Sequence, residues 1–213
     1  MKEYWNSRYQ QKEFAYGTTP NAFLKETLDN LKLSGNILFP AEGEGRNAVY
    51  AAKKGMKVSA FDISDIGKKK ALELAQSENV KIDYQIGELD NLNYKKNSFD
   101  ALVLIYAHFP PNQRKELHQK LVDLVKPNGY IILKGFSKNN FVLRQENPAI
   151  GGPRDIDMLF TTRMIKDDFK DFGIIELKEI ETELQEGEFH NGLASVIRFI
   201  GRKNLDETKS SIH

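Results

Sequence analysis

The stretch Asn36–Asp62, NILFPAEGEGRNAVYAAKKGMKVSAFD, decides the fold, because a glycine-rich turn and a helical pattern lie between two apolar runs. Asn36–Ala41 predicts a strand, Arg46–Lys54 a helix, and Lys57–Phe61 a second strand. A strand, a helical connection and a second strand in this order make a βαβ unit, whose two strands run parallel. We therefore expect an α/β fold built on a parallel sheet.

The rest of the chain repeats this alternation of short apolar runs and helical patterns. Phe99–Ala107 is an almost continuous apolar run, which is typical of a strand buried on both faces of a parallel sheet. The further predicted elements are helix Asp65–Gln76, strand Lys81–Ile86, helix Asn112–Lys126, strand Tyr130–Phe136, helix Thr162–Phe172 and strands Ile174–Leu184 and Leu193–Gly201. This order predicts a doubly wound, Rossmann-like, mainly parallel seven-stranded sheet with helices on both faces and an antiparallel C-terminal hairpin.

The remaining segments complete the predicted organisation. Two helical segments, Glu3–Gln10 and Asn21–Leu33, form an N-terminal helical cap (residues 1–35) that we expect to pack over the carboxyl edge of the sheet. Residues 36–203 form the Rossmann-like core, so residues 1–203 are expected to be one domain, followed by a frayed polar tail at 204–213. Residues 137–161 are expected to form a long irregular excursion, and such loops are usually functional or mobile.

The composition excludes several classes of protein. The 213 residues carry 31 basic and 30 acidic side chains, whereas proteins that bind nucleic acid or anionic membranes usually present a clearly basic face. The absence of cysteine excludes disulfides and a cysteine nucleophile, and the four scattered histidines have no metal-ligand spacing. No secretory signal and no apolar run of membrane-spanning length is visible. We expect a soluble cytoplasmic protein, a monomer or homodimer, that acts on a small molecule and binds no metal.

The glycine turn predicts a site for a nucleoside-bearing cofactor. Gly43 and Gly45 let the backbone turn tightly after the first strand, and the helix that follows offers unpaired amides. Asp62, at the end of the second strand, can accept both hydroxyls of a ribose. The spacing Gly43-x-Gly45-x-x-Ala48 also fits a dinucleotide turn, and an ordinary tight strand–helix turn remains an alternative.

Acidic residues near the turn favour S-adenosylmethionine over a dinucleotide. Glu42 and Glu44 would place like charges against a pyrophosphate, whereas they suit a cofactor that carries a sulfonium cation and an amino group. Glu88 follows the third predicted strand, where it can meet the exocyclic amine of an adenine or simply lie in a surface turn.

Three segments resemble the successive motifs of class I S-adenosylmethionine-dependent methyltransferases: ILFPAEGEGRNAVYAAKKGMKVSAFDIS, NSFDALVLIYAHFP and LVKPNGYIILKGFS. The flanking segments WNSRY, YGTTPNAFL, GGPRDIDMLF and EGEFHNGLASVIRFIGRK resemble the tellurite-resistance-type methyltransferases, with thiopurine methyltransferases as more distant relatives. The chain departs from the superfamily pattern at Phe39, where an acid is common, and at Ala41, where the first glycine of the turn usually stands.

The resemblance implies that S-adenosylmethionine is the cofactor and that the turn and the strand ends hold it. The expected cofactor-binding residues are Glu42, Gly43, Gly45, Asn47, Asp62, Ile63, Glu88, Leu89, Tyr106 and Tyr16. Tyr16 is either a lid across the cofactor or an aromatic anchor for the N-terminal helices, and Trp5 is more typical of a core residue.

The candidates for chemistry at the methyl acceptor are His108, Tyr106, His190 and Arg198. His108 follows the fourth strand and either positions substrate and accepts a proton or is a satisfied turn histidine. The resembled group has functional His and Arg residues in its C-terminal strands, so the resemblance implies that His190 and Arg198 are functional. Pairing with Glu183 or Glu188 is the structural alternative for these two residues, and Arg154 either binds an oxyanion or lies in solvent.

Other polar residues are expected to be structural. His118 is expected on the surface of a helix, Lys68–Lys70 on a solvated helix face, and Asp167 and Asp168 at the start of a helix.

The resemblance implies transfer of a methyl group to a small acceptor, such as a soft oxyanion (tellurite or selenite) or a thiol. Two alternatives remain open at this stage. An NAD(P)-binding Rossmann oxidoreductase shares the glycine turn, although no Tyr-x-x-x-Lys pair is visible. A non-catalytic cofactor-binding protein is the second, because of the departures at Phe39 and Ala41.

Overall fold

Seven strands form one sheet in the computed structural model, which describes residues 1–205. The strands are β1 (Asn36–Pro40), β2 (Lys57–Asp62), β3 (Asp83–Ile86), β4 (Phe99–Ile105), β5 (Val125–Phe136), β6 (Phe172–Gln185) and β7 (Asn191–Lys203). Their order across the sheet is β3-β2-β1-β4-β5-β7-β6. β1 to β5 run parallel, and β7 pairs antiparallel with both β5 and β6. The predicted fold class is confirmed.

Within residues 1–205, seven α-helices connect or flank the strands. They are α1 (Lys2–Tyr9), α2 (Ala22–Leu31), α3 (Arg46–Lys53), α4 (Asp65–Ser77), α5 (Pro111–Leu124), α6 (Asn140–Glu146) and α7 (Thr162–Asp168). Over residues 1–205 these helices are too short or too polar to cross a membrane. Most of the predicted tail, residues 206–213, lies outside the described residues.

The strand order reverses between β1 and β4, because the chain leaves β1 toward β2 and β3 and returns to β4 on the other side. In open α/β sheets, ligands bind at the carboxyl ends of the strands where the order reverses. The glycine turn follows β1 and Tyr106 follows β4, so both predicted site segments lie at this point.

Apolar residues cover both faces of the sheet, as the continuous run in β4 predicts. Leu102 and Leu104 face one cluster with Phe160 and Phe199, whereas Val103 faces the opposite cluster with Phe39. Phe39 is fully buried. This departure from the resembled pattern therefore places a core side chain, rather than a charge, in the middle of β1.

Residues 137–161 are more ordered than the sequence predicted. They contain α6 and two single 3₁₀ turns, Pro148–Ile150 and Ile156–Met158, and Ser137 forms a parallel bridge with Phe160. The prediction of an irregular excursion is wrong for this reason: Ile150 and the segment that follows it pack into a cluster with Phe136 of β5.

His118 and Asp168 are also corrected by the structure. His118 is fully buried, and its Nδ1 lies 2.7 Å from Oδ2 of Asp168. Asp168 is the last residue of α7 rather than a helix-start acid, and Arg114 Nε lies 3.4 Å from the same oxygen. The group joins α5 to α7, and a surface position for His118 is excluded.

Residues 10–20, which we call the strap, link α1 to α2 and are fastened by one buried lysine. Lys70 Nζ donates to the carbonyl oxygens of Gln11 (2.9 Å) and Glu13 (2.7 Å) and lies 2.5 Å from Oε1 of Glu44. The other Glu44 oxygen accepts from the amide of Ala15 at 2.8 Å. The prediction of a solvated lysine face is therefore wrong for Lys70, which binds the strap to the glycine turn.

Replacing Lys70 with methionine should destabilise the protein and release the strap. The variant leaves Glu44 buried without its cation, and breaking a buried ion pair costs about 3–5 kcal/mol. Thermal unfolding and limited proteolysis of the strap would measure both effects. Lys69→Met is the matched control, because Lys69 is exposed and its ion pair with Glu73 spans 3.9 Å; equal losses in the two variants would contradict the role of Lys70.

Candidate active site at the β1–β4 edge

The glycine turn after β1 is held in a left-handed backbone conformation by three residues. Ala41, Gly43 and Gly45 have φ angles of 52°, 64° and 85°. A Cβ on Gly43 would lie 2.5 Å from the hydroxyl oxygen of Tyr9. Gly43 is therefore required by both its conformation and its close contact with the cap.

Glu42 turns back onto the first turn of α3. Its Oε1 accepts hydrogen bonds from the amides of Asn47 (2.9 Å) and Ala48 (2.8 Å). Burial raises the pKa of Glu42 to about 7, against these two amides and the charge of Arg46, which lower it. The amides that would bind a phosphate at the start of a helix are thus already taken by a carboxylate of the chain.

Asp62 joins the end of β2 to the glycine turn. Its two oxygens accept from the amides of Gly43 (3.0 Å) and Ser64 (2.9 Å), and Tyr84 donates to the carbonyl of Gly43 at 2.6 Å. Burial raises the pKa of Asp62, while the amide hydrogen bonds lower it. A carboxylate has about four lone-pair positions, so Asp62 retains capacity to accept from ligand hydroxyls.

A second group of residues lies beyond β4, around Tyr106. Tyr106 has a φ of 56°, and its ring stacks on Phe136 at 4.7 Å and contacts His190 at 4.4 Å between centroids. Burial and the charge of Glu186 raise its pKa well above the usual value. Its hydroxyl is buried, and an interaction with the side chain of Asn21 lowers its pKa against these two effects.

Glu186, from the turn between β6 and β7, enters this group. Its Oε1 accepts from Asn21 Nδ2 at 2.6 Å, and its Oε2 accepts from Arg46 at 2.7 Å. His190 Nδ1 lies 3.4 Å from Oε2, and Lys134 Nζ lies 3.9 Å from Oε1. Burial alone would raise the pKa of Glu186, but His190, Arg46 and Lys134 bring it below its ordinary value.

His108 is held by two hydrogen bonds. Its Nε2 accepts from the amide of Phe136 at 3.0 Å, and its Nδ1 donates to the carbonyl of Met158 at 2.8 Å. Burial lowers its pKa to about 4. A role as proton acceptor requires loss of the Phe136 hydrogen bond, so the geometry favours the satisfied turn histidine.

The structure brings His190 to Tyr106 and gives it a different partner from the one expected. It pairs with Glu186, not with Glu183 or Glu188, because the tight turn after β6 directs Glu186 inward and leaves the other two exposed. Arg198 lies on β7 opposite Lys134, with its guanidinium 5.1 Å from the ring centroid of Phe23. Tyr16 contacts His190, at 4.4 Å between ring centroids.

The other predicted site residues have simpler surroundings. Asn47 accepts from the amide of Asn21 at 2.9 Å, Ile63 is half-buried after β2, and Trp5 stacks on Tyr9. Glu88 is exposed at the end of β3 and Leu89 is half-buried beside it. Arg154 is exposed and outside this group.

Sequence reasoning missed Asn21, Arg46, Lys134 and Glu186. One signal was available, since Lys134 is the only charged residue in the apolar run Tyr130–Phe136. A charge in the middle of a buried strand needs a partner or a function.

Comparison with known proteins identifies the family. Residues 37–129 match the family described as "Methyltransferase domain". The chain is 31% identical over 111 residues to an uncharacterized methyltransferase, C977.03, of Schizosaccharomyces pombe, covering 51% of this chain and 77% of that protein. The chain belongs to the methyltransferase family. The cofactor predicted from the sequence, S-adenosylmethionine, is confirmed by this membership.

Two solved structures share the fold of the methyltransferase. One is described as "Conversion of a Disulfide Bond into a Thioacetal Group during Echinomycin Biosynthesis", with a TM-score of 0.76, 15% identity, and coverage of 98% of this chain and 93% of that one. The other is TehB from Haemophilus influenzae, with a TM-score of 0.70, 16% identity, and coverage of 95% and 67%. At these identities the likeness concerns the fold alone.

The donor set at the glycine turn fits S-adenosylmethionine. Glu42 and Asp62 offer acceptor oxygens to hydroxyl and amino groups, and Glu42 closes the start of α3 to a pyrophosphate. No group of three or more His, Asp or Glu side chains suited to a metal ion occurs within residues 1–205.

Glu42 should make stability depend on pH. Its pKa in the folded chain is about 7, above the ordinary value of about 4.3. The folded state therefore holds the proton more tightly, and stability falls as pH rises from about 4 through 7, by up to about 3 kcal/mol.

Glu42→Gln retains the oxygen that accepts from Asn47 and Ala48 but removes the titration. The free energy of unfolding should decrease less between pH 5 and pH 8 for this variant than for the wild type. Glu26→Gln, at an exposed position, should keep the wild-type difference. If Glu42→Gln also keeps it, the burial effect on Glu42 is contradicted.

Proposed function

We propose that this methyltransferase uses the glycine turn, Asp62 and the ends of β3 and β4 to bind S-adenosylmethionine, and methylates a small-molecule acceptor. The observation that carries the proposal is the carboxylate of Glu42 on the amides of Asn47 and Ala48. This carboxylate would repel an anionic cofactor, whereas it would not repel a cofactor that carries an amino group and a sulfonium cation.

The cofactor-binding roles follow from the position of each residue at the edge of the sheet. Asp62 would accept from the ribose hydroxyls, Glu88 and Leu89 would meet the adenine, and Glu42 would face the amino group. Gly43, Gly45, Asn47 and Ile63 would shape the backbone of the site, and Tyr16 of the strap would cover it together with Tyr106.

When bound, S-adenosylmethionine supplies an electrophilic methyl group attached to a sulfonium. The chain has to orient the acceptor for an in-line displacement and keep water out. The rings of Tyr16, Tyr106 and Phe136 give an apolar surround that tolerates a nearby cation. His190, which contacts Tyr106, and Arg198, which lies opposite Lys134, would position the nucleophile.

The acceptor class is proposed from the sequence resemblance and the composition. The flanking segments resemble tellurite-resistance-type methyltransferases, which favours a soft oxyanion such as tellurite or selenite. A thiol is the second candidate, and the substrate must bring it because the chain has no cysteine. Both nucleophiles need little help from a base, which agrees with the occupied nitrogens of His108.

The NAD(P)-binding alternative is disfavoured by Glu42, since a pyrophosphate would have to displace it from the start of α3.

One observation supports the other alternative, a cofactor-binding protein without catalytic activity. The cluster around Glu186 is closed by hydrogen bonds and ion pairs, so an acceptor has to open it.

Calorimetric titration should show micromolar binding of S-adenosylhomocysteine and no comparable binding of NAD. Asp62→Asn removes the carboxylate proposed to accept hydrogen bonds from the ribose. The affinity for S-adenosylhomocysteine should fall about tenfold, which is the effect of losing a hydrogen bond to a charged group. Asp65→Asn, at an exposed position in the first turn of α4, is the control. Binding of NAD without binding of S-adenosylhomocysteine would overturn the proposal.

An acceptor screen with a labelled methyl donor should give product with at least one of tellurite, selenite, small thiols and thiopurines. Asp62→Asn should reduce the rate by raising the KM for the donor more than it lowers kcat, because Asp62 is proposed to contact the donor and not the acceptor. Donor binding with no transfer to any of these acceptors would contradict the proposed acceptor class.

A further inference from the structure

Binding of the cofactor at the glycine turn leaves the buried charges next to Tyr106 unexplained. Lys134 is 3% exposed in the middle of the sheet, where it pairs with Ile105 of β4 and Arg198 of β7. Burying an ammonium in a strand is costly unless an anion lies close to it. The chain provides one such anion, Glu186.

Glu186 is held as a bound carboxylate ligand would be held. One oxygen accepts from the side-chain amide of Asn21 at 2.6 Å, and the other accepts from the guanidinium of Arg46 at 2.7 Å. These three residues come from the cap, from α3 and from the β6–β7 turn, so the contact joins parts of the chain that are remote in sequence.

Cations exceed anions in this cluster. The charges that act on Lys134 are those of Glu186, Arg198 and Arg46, and Arg46 also acts on Glu42, so three cations stand against two acids. One donor is also left over, since Arg198 Nε is buried without a hydrogen-bond partner in the described part of the chain. The Glu186 carboxylate therefore leaves Arg198 Nε unpaired, and a ligand carboxylate seated in its place can engage this donor as well.

The β6–β7 turn (residues 186–190) rests on the strap through a close backbone contact. Gly187 has a φ of 70°, and a Cβ on it would lie 2.4 Å from the carbonyl oxygen of Ala15. Glu188 donates its amide to the same oxygen at 3.2 Å. The turn is also held by its side chains, since the Arg8 guanidinium lies 3.7 Å from the ring centroid of Phe189, and Tyr16 contacts the rings of both Phe189 and His190. These contacts join the turn to α1 and the strap, so lifting it breaks contacts with the cap and leaves the pairing of the strands in place.

We infer that Glu186 occupies the subsite for a carboxylate group of the methyl acceptor, and that the β6–β7 turn withdraws Glu186 when such an acceptor binds. In the loaded site, the acceptor carboxylate takes the hydrogen bonds of Asn21 and Arg46 and the charge of Lys134. This inference rests on the proposed function, because it names the substrate class of the same site.

Of the two acceptor classes proposed above, the walls of the subsite favour the second, as a thiol that carries a carboxylate, over an inorganic oxyanion. The rings of Tyr16 and Phe136 both lie against His190, at centroid distances of 4.4 Å and 5.2 Å, next to the Glu186 carboxylate. Such rings offer apolar area that a carbon skeleton can cover and that tellurite cannot.

Calorimetry with benzoate, in the presence of saturating S-adenosylhomocysteine, tests this subsite. Glu186→Gln removes the resident anion with little change of shape, so benzoate should bind about tenfold more tightly than to the wild type. Glu188→Gln is the matched control, since Glu188 is exposed in the same turn and should leave benzoate affinity unchanged. Adding Lys134→Met to Glu186→Gln should abolish the gain.

Benzamide and tellurite are the comparison ligands in the same calorimetric titrations. A gain for benzoate but not for neutral benzamide supports the inference. An equal gain for benzamide, a gain for tellurite alone, or no gain would overturn it. If the wild type does not bind S-adenosylhomocysteine, the proposed function is overturned. Failure of the proposed function is therefore distinguishable from failure of the subsite.

A second measurement needs no variant. The amide of Glu186 donates to the carbonyl of His190 at 2.8 Å in the closed turn. Saturating benzoate should speed hydrogen exchange at this amide in the wild type at least about threefold, because the turn has to lift. Unchanged or slower exchange with benzoate bound would contradict withdrawal of Glu186.

Discussion

Burying a carboxylate is unfavourable unless hydrogen-bond donors or a cation replace water. The edge of the sheet at the β1–β4 switch buries two carboxylates, Asp62 and Glu44, and half-buries a third, Glu42. Glu42 is held by two amides of α3, Asp62 by the amides of Gly43 and Ser64, and Glu44 by Lys70 and the strap. Each acid thus determines the position of a different segment. The glycine turn, the start of α3 and the cap depend on these contacts.

The same contacts give the site its chemical preference. The start of α3 is the usual place for a phosphate in doubly wound proteins, but here Glu42 fills it. The turn therefore presents acceptor oxygens rather than donors. This explains in physical terms how a glycine spacing shared with dinucleotide-binding proteins can serve a methyltransferase that uses a cationic cofactor.

The sheet and its order of elements could be predicted from the sequence, because apolar runs and glycine turns are local signals. Contacts between distant side chains could not be predicted in this way. Lys70 reaches carbonyls up to 61 positions earlier, and Arg46 meets Glu186 140 positions later. His118 has a helical pattern around it that is compatible with either surface or core, and only the position of Asp168 on α7 decides between them.

A crystal structure of the chain with S-adenosylhomocysteine would show whether Asp62 and the Glu42-capped turn form the cofactor site. We expect the ribose hydroxyls to contact Asp62 while Glu42 keeps its hydrogen bonds to Asn47 and Ala48. A ligand bound away from Asp62, or one that displaces Glu42 from the start of α3, would contradict this expectation.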